Sequence, residues 1–330
     1  MESYNSSTIL SDLDELISVY INSEDENKKK LIYNQMLFAS NIDSKTIEKK
    51  EISKYKPKDY NRYQKDMLKT KKLKLLEFDN LTRILCFNLY EELNKFYPLY
   101  SSVIINNNFN YNRYLETIRN FFRDVIPTDL SMFDNSIAQN RLILNRDMLF
   151  STGDIICLDS IKKYYIMIYY CDKLKPLDMA ITIHEYGHAS TLITSGSYNS
   201  RDYLFNEVVS CLYELLFLNY YIREYGCKYN EEEIFRIFNT SWVEKLRSKL
   251  FRRSNYNYNT VNMIEALYGE IISVTIYCKY FNDNLLDKIE FIKKNYSKFD
   301  CFELLGKLGI SDNDLINTSS DLSKLVLKRC

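Results

Sequence analysis

The stretch His184-Glu185-Tyr186-Gly187-His188 constrains this chain more than any other. Residues four apart on an α-helix lie on one face, so as a helix this stretch aims both imidazoles at a single point. That is the HExxH arrangement, whose usual occupant is zinc. The chain has only two histidines, and both are here. Glu185 follows the first of them, within reach of a water on the metal but turned away from being a ligand itself, which is the place for a general base. Gly187 costs a helix about 1 kcal/mol against Ala. A small residue there admits another backbone or a substrate, which suits an active-site helix better than two histidines merely satisfied in a core.

A catalytic zinc site takes three protein ligands and keeps a fourth position open. With no further His, the third must be a carboxylate or a Cys. Downstream, Leu204, Val208, Cys211, Leu212 and Leu215 form an apolar stripe at helical spacing, while Glu207, Ser210 and Glu214 share another face. Glu207 on this second helix is the expected third ligand. Glu214 either holds a His nitrogen from behind or is a solvated face residue. Asp202 precedes the helical pattern, and Cys211 falls on the apolar stripe.

In these residues the chain resembles the thimet oligopeptidase and oligoendopeptidase F family of zinc metallopeptidases, as a short and divergent member. That family carries HE(F/Y/L)GH, followed some two dozen residues later by a helix reading Glu-x-x-Ser-x-x-x-Glu. Here HEYGH spans 184–188 and Glu207, Ser210 and Glu214 keep the second register. The intervening gap is shorter, but it is loop, where length costs little. The likeness covers roughly residues 115–330, including Ser151-Thr152-Gly153-Asp154 and Tyr164–Tyr170 as an antiparallel strand pair, Ala266-Leu267-Tyr268-Gly269, and the Leu304–Val326 segment. It implies a mainly α, zincin-type helical metallopeptidase with a small antiparallel β element beside the zinc helix. It also implies one zinc ion held by His184, His188 and Glu207, and Glu214 behind them. The family uses a His and tyrosines before a glycine-containing helix to stabilise the oxyanion. The family's His position falls near Tyr256, where this chain has no His; Tyr256, Tyr258 and Tyr268 are the candidate phenolic donors.

The rest of the chain is consistent with long helices, since seven glycines and four prolines in 330 residues leave few turns. Lys and Arg total 44 and so do Asp and Glu, so no global field points to nucleic acid. Eight cysteines without a CxxC pair argue for a reducing compartment. With no signal-peptide pattern at the N-terminus and no apolar run long enough to span a membrane, the expected location is cytoplasmic. Apolar spacing places helices over 11–78, broken near Pro57, over 79–98, over Tyr111–Phe122, and over Glu232–Arg252 around Trp242. Leu142-Ile143-Leu144, Cys157-Leu158 and Tyr165–Tyr169 read as strands. Asp178 is the expected cap of the zinc helix.

The expected organisation is an N-terminal helical lobe over 1–150 and a zinc-binding lobe over 151–330, both lining one cleft. Full-length members of the family are longer, so this cleft is expected to be shallower or differently lidded, fitting a dedicated peptide. The expected activity is hydrolysis of internal peptide bonds of oligopeptides, with peptide substrate as partner and neither nucleic acid nor membrane. The alternative from another class is a weak or inactive zinc protein that binds peptides. Glu185 argues against it, because a structural site has no use for a base beside its ligand.

Overall fold

A computed structural model describes residues 6–42, 49–77, 109–171, 173–196, 203–225 and 258–318. Its helices are α1 (Ser6–Ile21), α2 (Glu26–Ile42), α3 (Lys49–Ser53), α4 (Tyr60–Glu77), α5 (Tyr111–Val125), α6 (Leu130–Ala138), α7 (Pro176–Ser195), α8 (Tyr203–Tyr225), α9 (Tyr258–Tyr280), α10 (Leu285–Asn295) and α11 (Cys301–Leu308). Three strands, β1 (Leu142–Asn145), β2 (Asp147–Leu158) and β3 (Lys163–Cys171), form one sheet in the order β1-β3-β2. The fold is mainly α with one small sheet. The helices expected over 79–98 and Glu232–Arg252 lie outside the described residues.

The strand pair expected from sequence is β2 with β3, antiparallel, Gly153 opposite Ile168 and Ile155 opposite Ile166. Cys157 and Leu158 are the end of β2 and not a strand of their own. The sheet is mixed, because β1 runs parallel to β3 on its other side, Leu142 opposite Ile166. Asn145 pairs with Tyr169 and Asp147 with Cys171, so the chain crosses the C-terminal end of β3 at Arg146. The expected lobe boundary at 150/151 falls inside β2.

Alternation along β3 divides the interior. Tyr164, Ile166 and Ile168 face a core shared with α5, α7, α8, α9 and α10, while Tyr165 and Met167 face a second core built with α1 and α2. Burial on both faces explains why Tyr164–Tyr169 reads as an unbroken apolar run. An ionic knot ties α1 to the outer face. Asp12, 2% exposed, accepts from Arg141, from Lys163 Nζ at 2.7 Å and from Tyr165 Oη at 2.6 Å.

On the inner face, α5 starts where the Asn110 side chain accepts from the Arg113 N–H at 2.9 Å, and it buries Tyr114, Leu115, Ile118, Phe121 and Phe122. Its chain turns at Ile126 into a short 3₁₀ turn, Pro127–Asp129. The helix carrying HEYGH, α7, begins two residues before Asp178, with Pro176 at its first position. Asp178 caps it from the third helical position, its carboxylate accepting from the Lys175 N–H at 2.7 Å. Gly196, at φ 65°, ends it.

Candidate metal centre

Two adjacent helices and a glycine on a third bring the candidate ligands together. His184 and His188 share one face of α7, and Glu207 enters from α8. Their donor atoms all lie within 4.8 Å of one another, and among the described residues this is the group so arranged. His184 Nε2 is 3.6 Å from Glu207 Oε2, and His188 Nε2 is 3.6 Å from Glu207 Oε1. Tetrahedral ligands on a zinc ion with bonds near 2.0–2.1 Å stand about 3.3 Å apart, so the two His–Glu separations are close to what such an ion requires.

Behind His184, Glu214 Oε2 lies 3.0 Å from Nδ1. The carboxylate accepts from Nδ1–H and turns Nε2 toward Glu207. The solvated-face alternative for Glu214 is thereby set aside. Asn206, the residue before Glu207, is buried beside His188 and favours its charged form. Sequence spacing missed Asn206, because a neutral amide beside an acidic candidate draws no attention.

Three of the chain's seven glycines border this centre. A Cβ on Gly187 would stand 2.6 Å from the Ser210 Cα, so α7 and α8 meet backbone to backbone. A Cβ on Gly269 of α9 would stand 2.5 Å from the Glu207 Cβ, so α9 presses directly on the ligand-bearing residue. Gly153 on β2 leaves room for Glu185, whose Cγ would lie 2.6 Å from its Cβ. The Ser210 hydroxyl donates to the Glu207 carbonyl at 2.9 Å and keeps that contact surface small.

Glu185 lies between α7 and the edge strand β2, 8% exposed. Burial pushes its carboxyl up to about 8; nearby His184 opposes the shift, and Asp154, Glu207 and Glu214 add to it. Burial would lower His184, but Cys211 beside it and the Glu207 and Glu214 carboxylates, as acceptors, hold it well above the ordinary imidazole range. Burial takes His188 down to about 4 against the pull of Glu207. These preferences belong to the metal-free protein, and a divalent cation would favour ionised Glu185 and neutral imidazoles.

Cys211 does not belong to the apolar stripe. Its thiol lies beside His184, one helical turn beyond Glu207, and burial pushes it up to about 12. The stripe reading fails because α8 buries Phe205, Val208, Val209, Leu212, Tyr213, Leu216 and Phe217 around most of its circumference. Glu270 was also not anticipated. It follows Gly269 on α9, and burial, with Glu214 and Glu207 nearby, pushes its carboxyl up to about 8. Tyr268 is 2% exposed and packs within the main core. Tyr256 and the side chain of Tyr258 lie outside the described residues.

No protein-family model matches the chain, and no curated protein sequence matches it. Its fold is similar to a crystal structure of a protein from Chlamydophila abortus inferred to be a peptidase, with a TM-score of 0.53 and 13% identity. The match covers 76% of this chain and 54% of that one, so the chain spans about half the length of the structure it resembles. The similarity is one of fold. Among the described residues, no helix is long and apolar enough to cross a membrane.

Proposed function

We propose that this protein is a zinc-dependent endopeptidase of the oligopeptidase kind, hydrolysing internal bonds of oligopeptides. The observation that carries the reading is the convergence of His184, His188 and Glu207 on one point, with Glu185 beside it and Glu214 fixing His184. Similarity of fold to an inferred peptidase supports it. His184, His188 and Glu207 would hold the ion, which when bound supplies an acidified water and polarises the scissile carbonyl.

The chain's own residues do the rest. Glu185 accepts the proton from the attacking water and returns it to the leaving amine, which balances the hydrolysis. Its place between α7 and β2 keeps bulk solvent away from that proton. β2 is an edge of the described sheet and lies against α7, so its outward backbone groups can pair with an extended peptide. Pairing through backbone tolerates varied side chains.

Zinc-loaded protein incubated with a mixed library of short quenched peptides, beside Glu185→Gln, tests the reading. Cleavage by wild type and none by the variant, at equal zinc content, supports it. Stoichiometric zinc with cleavage by neither would point to a binding module, and cleavage by both would remove Glu185 from the chemistry.

A further inference from the structure

On the side of α7 away from the histidines lies a second polar cluster, buried at its centre and open to solvent only at Glu290. Lys293 of α10 and Asp129 of the 3₁₀ turn are each 1% exposed. Lys293 Nζ donates to Asp129 Oδ1 at 3.1 Å, to Tyr213 Oη at 3.2 Å and to Glu290 Oε1 at 2.5 Å. Asp129 Oδ2 accepts from Ser190 Oγ and from Tyr213 Oη, each at 2.5 Å, and the Asp129 carbonyl accepts from Tyr186 Oη at 3.0 Å. One aspartate thus binds α7, α8 and α10.

The partners it selects are neighbours of the metal-centre residues. Tyr186 follows Glu185, and Tyr213 precedes Glu214. Tyr186 and Ser190 are four apart, as are His184 and His188, and the two pairs are offset by two residues, about 200° around the helix. One face of α7 therefore carries the imidazoles and the opposite face reports to Asp129.

Stability alone is a poor reason for such a cluster, since an apolar set of similar volume generally packs as well or better than a buried ion pair. Apolar contacts tolerate small rotations of a helix, whereas hydrogen bonds to one carboxylate do not. Metal ligands need placement to within about 0.2 Å. We propose that the Asp129–Lys293 cluster is a positioning unit for the metal centre, fixing the rotation of α7 and α8 so that His184, His188, Glu207 and Glu214 converge. The inference rests on the zinc-peptidase reading. Its members touch neither metal nor substrate.

The test measures the zinc dissociation constant by competition with a chromogenic chelator, well below the melting temperature. The proteins are wild type, the Asp129→Asn/Lys293→Met double variant, Ser190→Ala and Tyr213→Phe. Metal-free thermal midpoints, kcat and KM are read alongside. Wild type is measured first; if it binds no zinc, the metal reading falls and this inference with it. If wild type binds, the expected result is about tenfold weaker zinc binding in the folded double variant, with kcat falling more than KM. The single variants should move the same way by less. Should the double variant not fold, the single variants decide by the same measure. Unchanged zinc affinity in folded variants, whatever their thermal midpoints, overturns the positioning role and leaves the peptidase reading intact.

Discussion

Gly187 and Ser210 meet with no side chain between their backbones, a Cβ on the glycine falling 2.6 Å from the serine Cα. Alanine usually stabilises a helix interior by about 1 kcal/mol over glycine. At Gly187 the sign should reverse, because the added methyl has backbone in its way. Gly187→Ala is expected to lose about 1–3 kcal/mol of stability by denaturant titration and to weaken zinc binding as α8 is pushed back. A more stable variant with unaltered zinc affinity would show that the helices have slack.

Glu214 bears on the candidate metal site through its contact with His184. Glu214→Gln keeps an acceptor but loses the charge, and should weaken zinc binding by about 10–100-fold, the usual cost of losing such a partner. Chelator competition reads this directly. A variant that binds zinc as wild type does would make the 3.0 Å contact incidental.

Arg141 bears on the opposite side of the sheet. Arg141→Met leaves Asp12 buried with Lys163 and Tyr165 as its remaining partners. The expected loss is about 3 kcal/mol, the lower end for breaking a buried pair. Because the knot lies on the far face of the sheet from α7, zinc affinity in the folded variant should not change. Denaturant midpoints and chelator competition on one sample separate the two effects.

The metal-free protein should lose stability as pH rises from about 6.5 to 8. Glu185 and Glu270 sit at about 8 when folded, against about 4.3 for a free glutamate. Over that interval the folded state holds protons that the unfolded state has released, so raising the pH favours unfolding. His184, raised above its ordinary value, contributes with the same sign. His188, at about 4, acts in the opposite direction, but only below about 6.5. At about 1.4 kcal/mol per pH unit for each proton so held, the slope should be about 2–4 kcal/mol per pH unit. Zinc should reverse the trend, since its ligands bind as the deprotonated forms. Thermal midpoints across this range, with chelator and with zinc, check both signs; a flat metal-free profile would contradict the first.

Much of the candidate site was legible because its parts follow helical spacing. His184 and His188 four apart, then Glu207 and Glu214 seven apart on one later helix, are periodic signals that survive without any structure. The strand β3 was legible as a run of apolar residues too short for a helix, whereas most of β2 was expected only from the family resemblance at Ser151-Thr152-Gly153-Asp154. What escaped were relations between elements distant in sequence. Nothing near Asp129 hints that it will meet Lys293, and nothing in β1 says that it pairs with β3 and not with the strand that follows it in sequence. Asn206, Cys211 and Glu270 escaped differently, since their importance comes from standing beside a ligand or its partner. Asp178 was read as a cap, but the helix start was misplaced because Pro176 at the first position carries no apolar signal.

The glycine contacts and the polar cluster also bear on the order in which the protein can be assembled. His184 and Glu214 are 30 residues apart, on consecutive helices, whereas Asp129 and Lys293 meet across 164 residues. Closing the shorter loop costs less chain entropy. The α7–α8 hairpin can therefore gather every candidate ligand while most of the chain is still unfolded, and a chelating hairpin formed on its own would be loose. By that measure the contacts of Gly269 with Glu207 and of Lys293 with Asp129 cost more to close. On the zinc reading, chain entropy alone would let the hairpin meet a metal before the C-terminal helices seat its ligands.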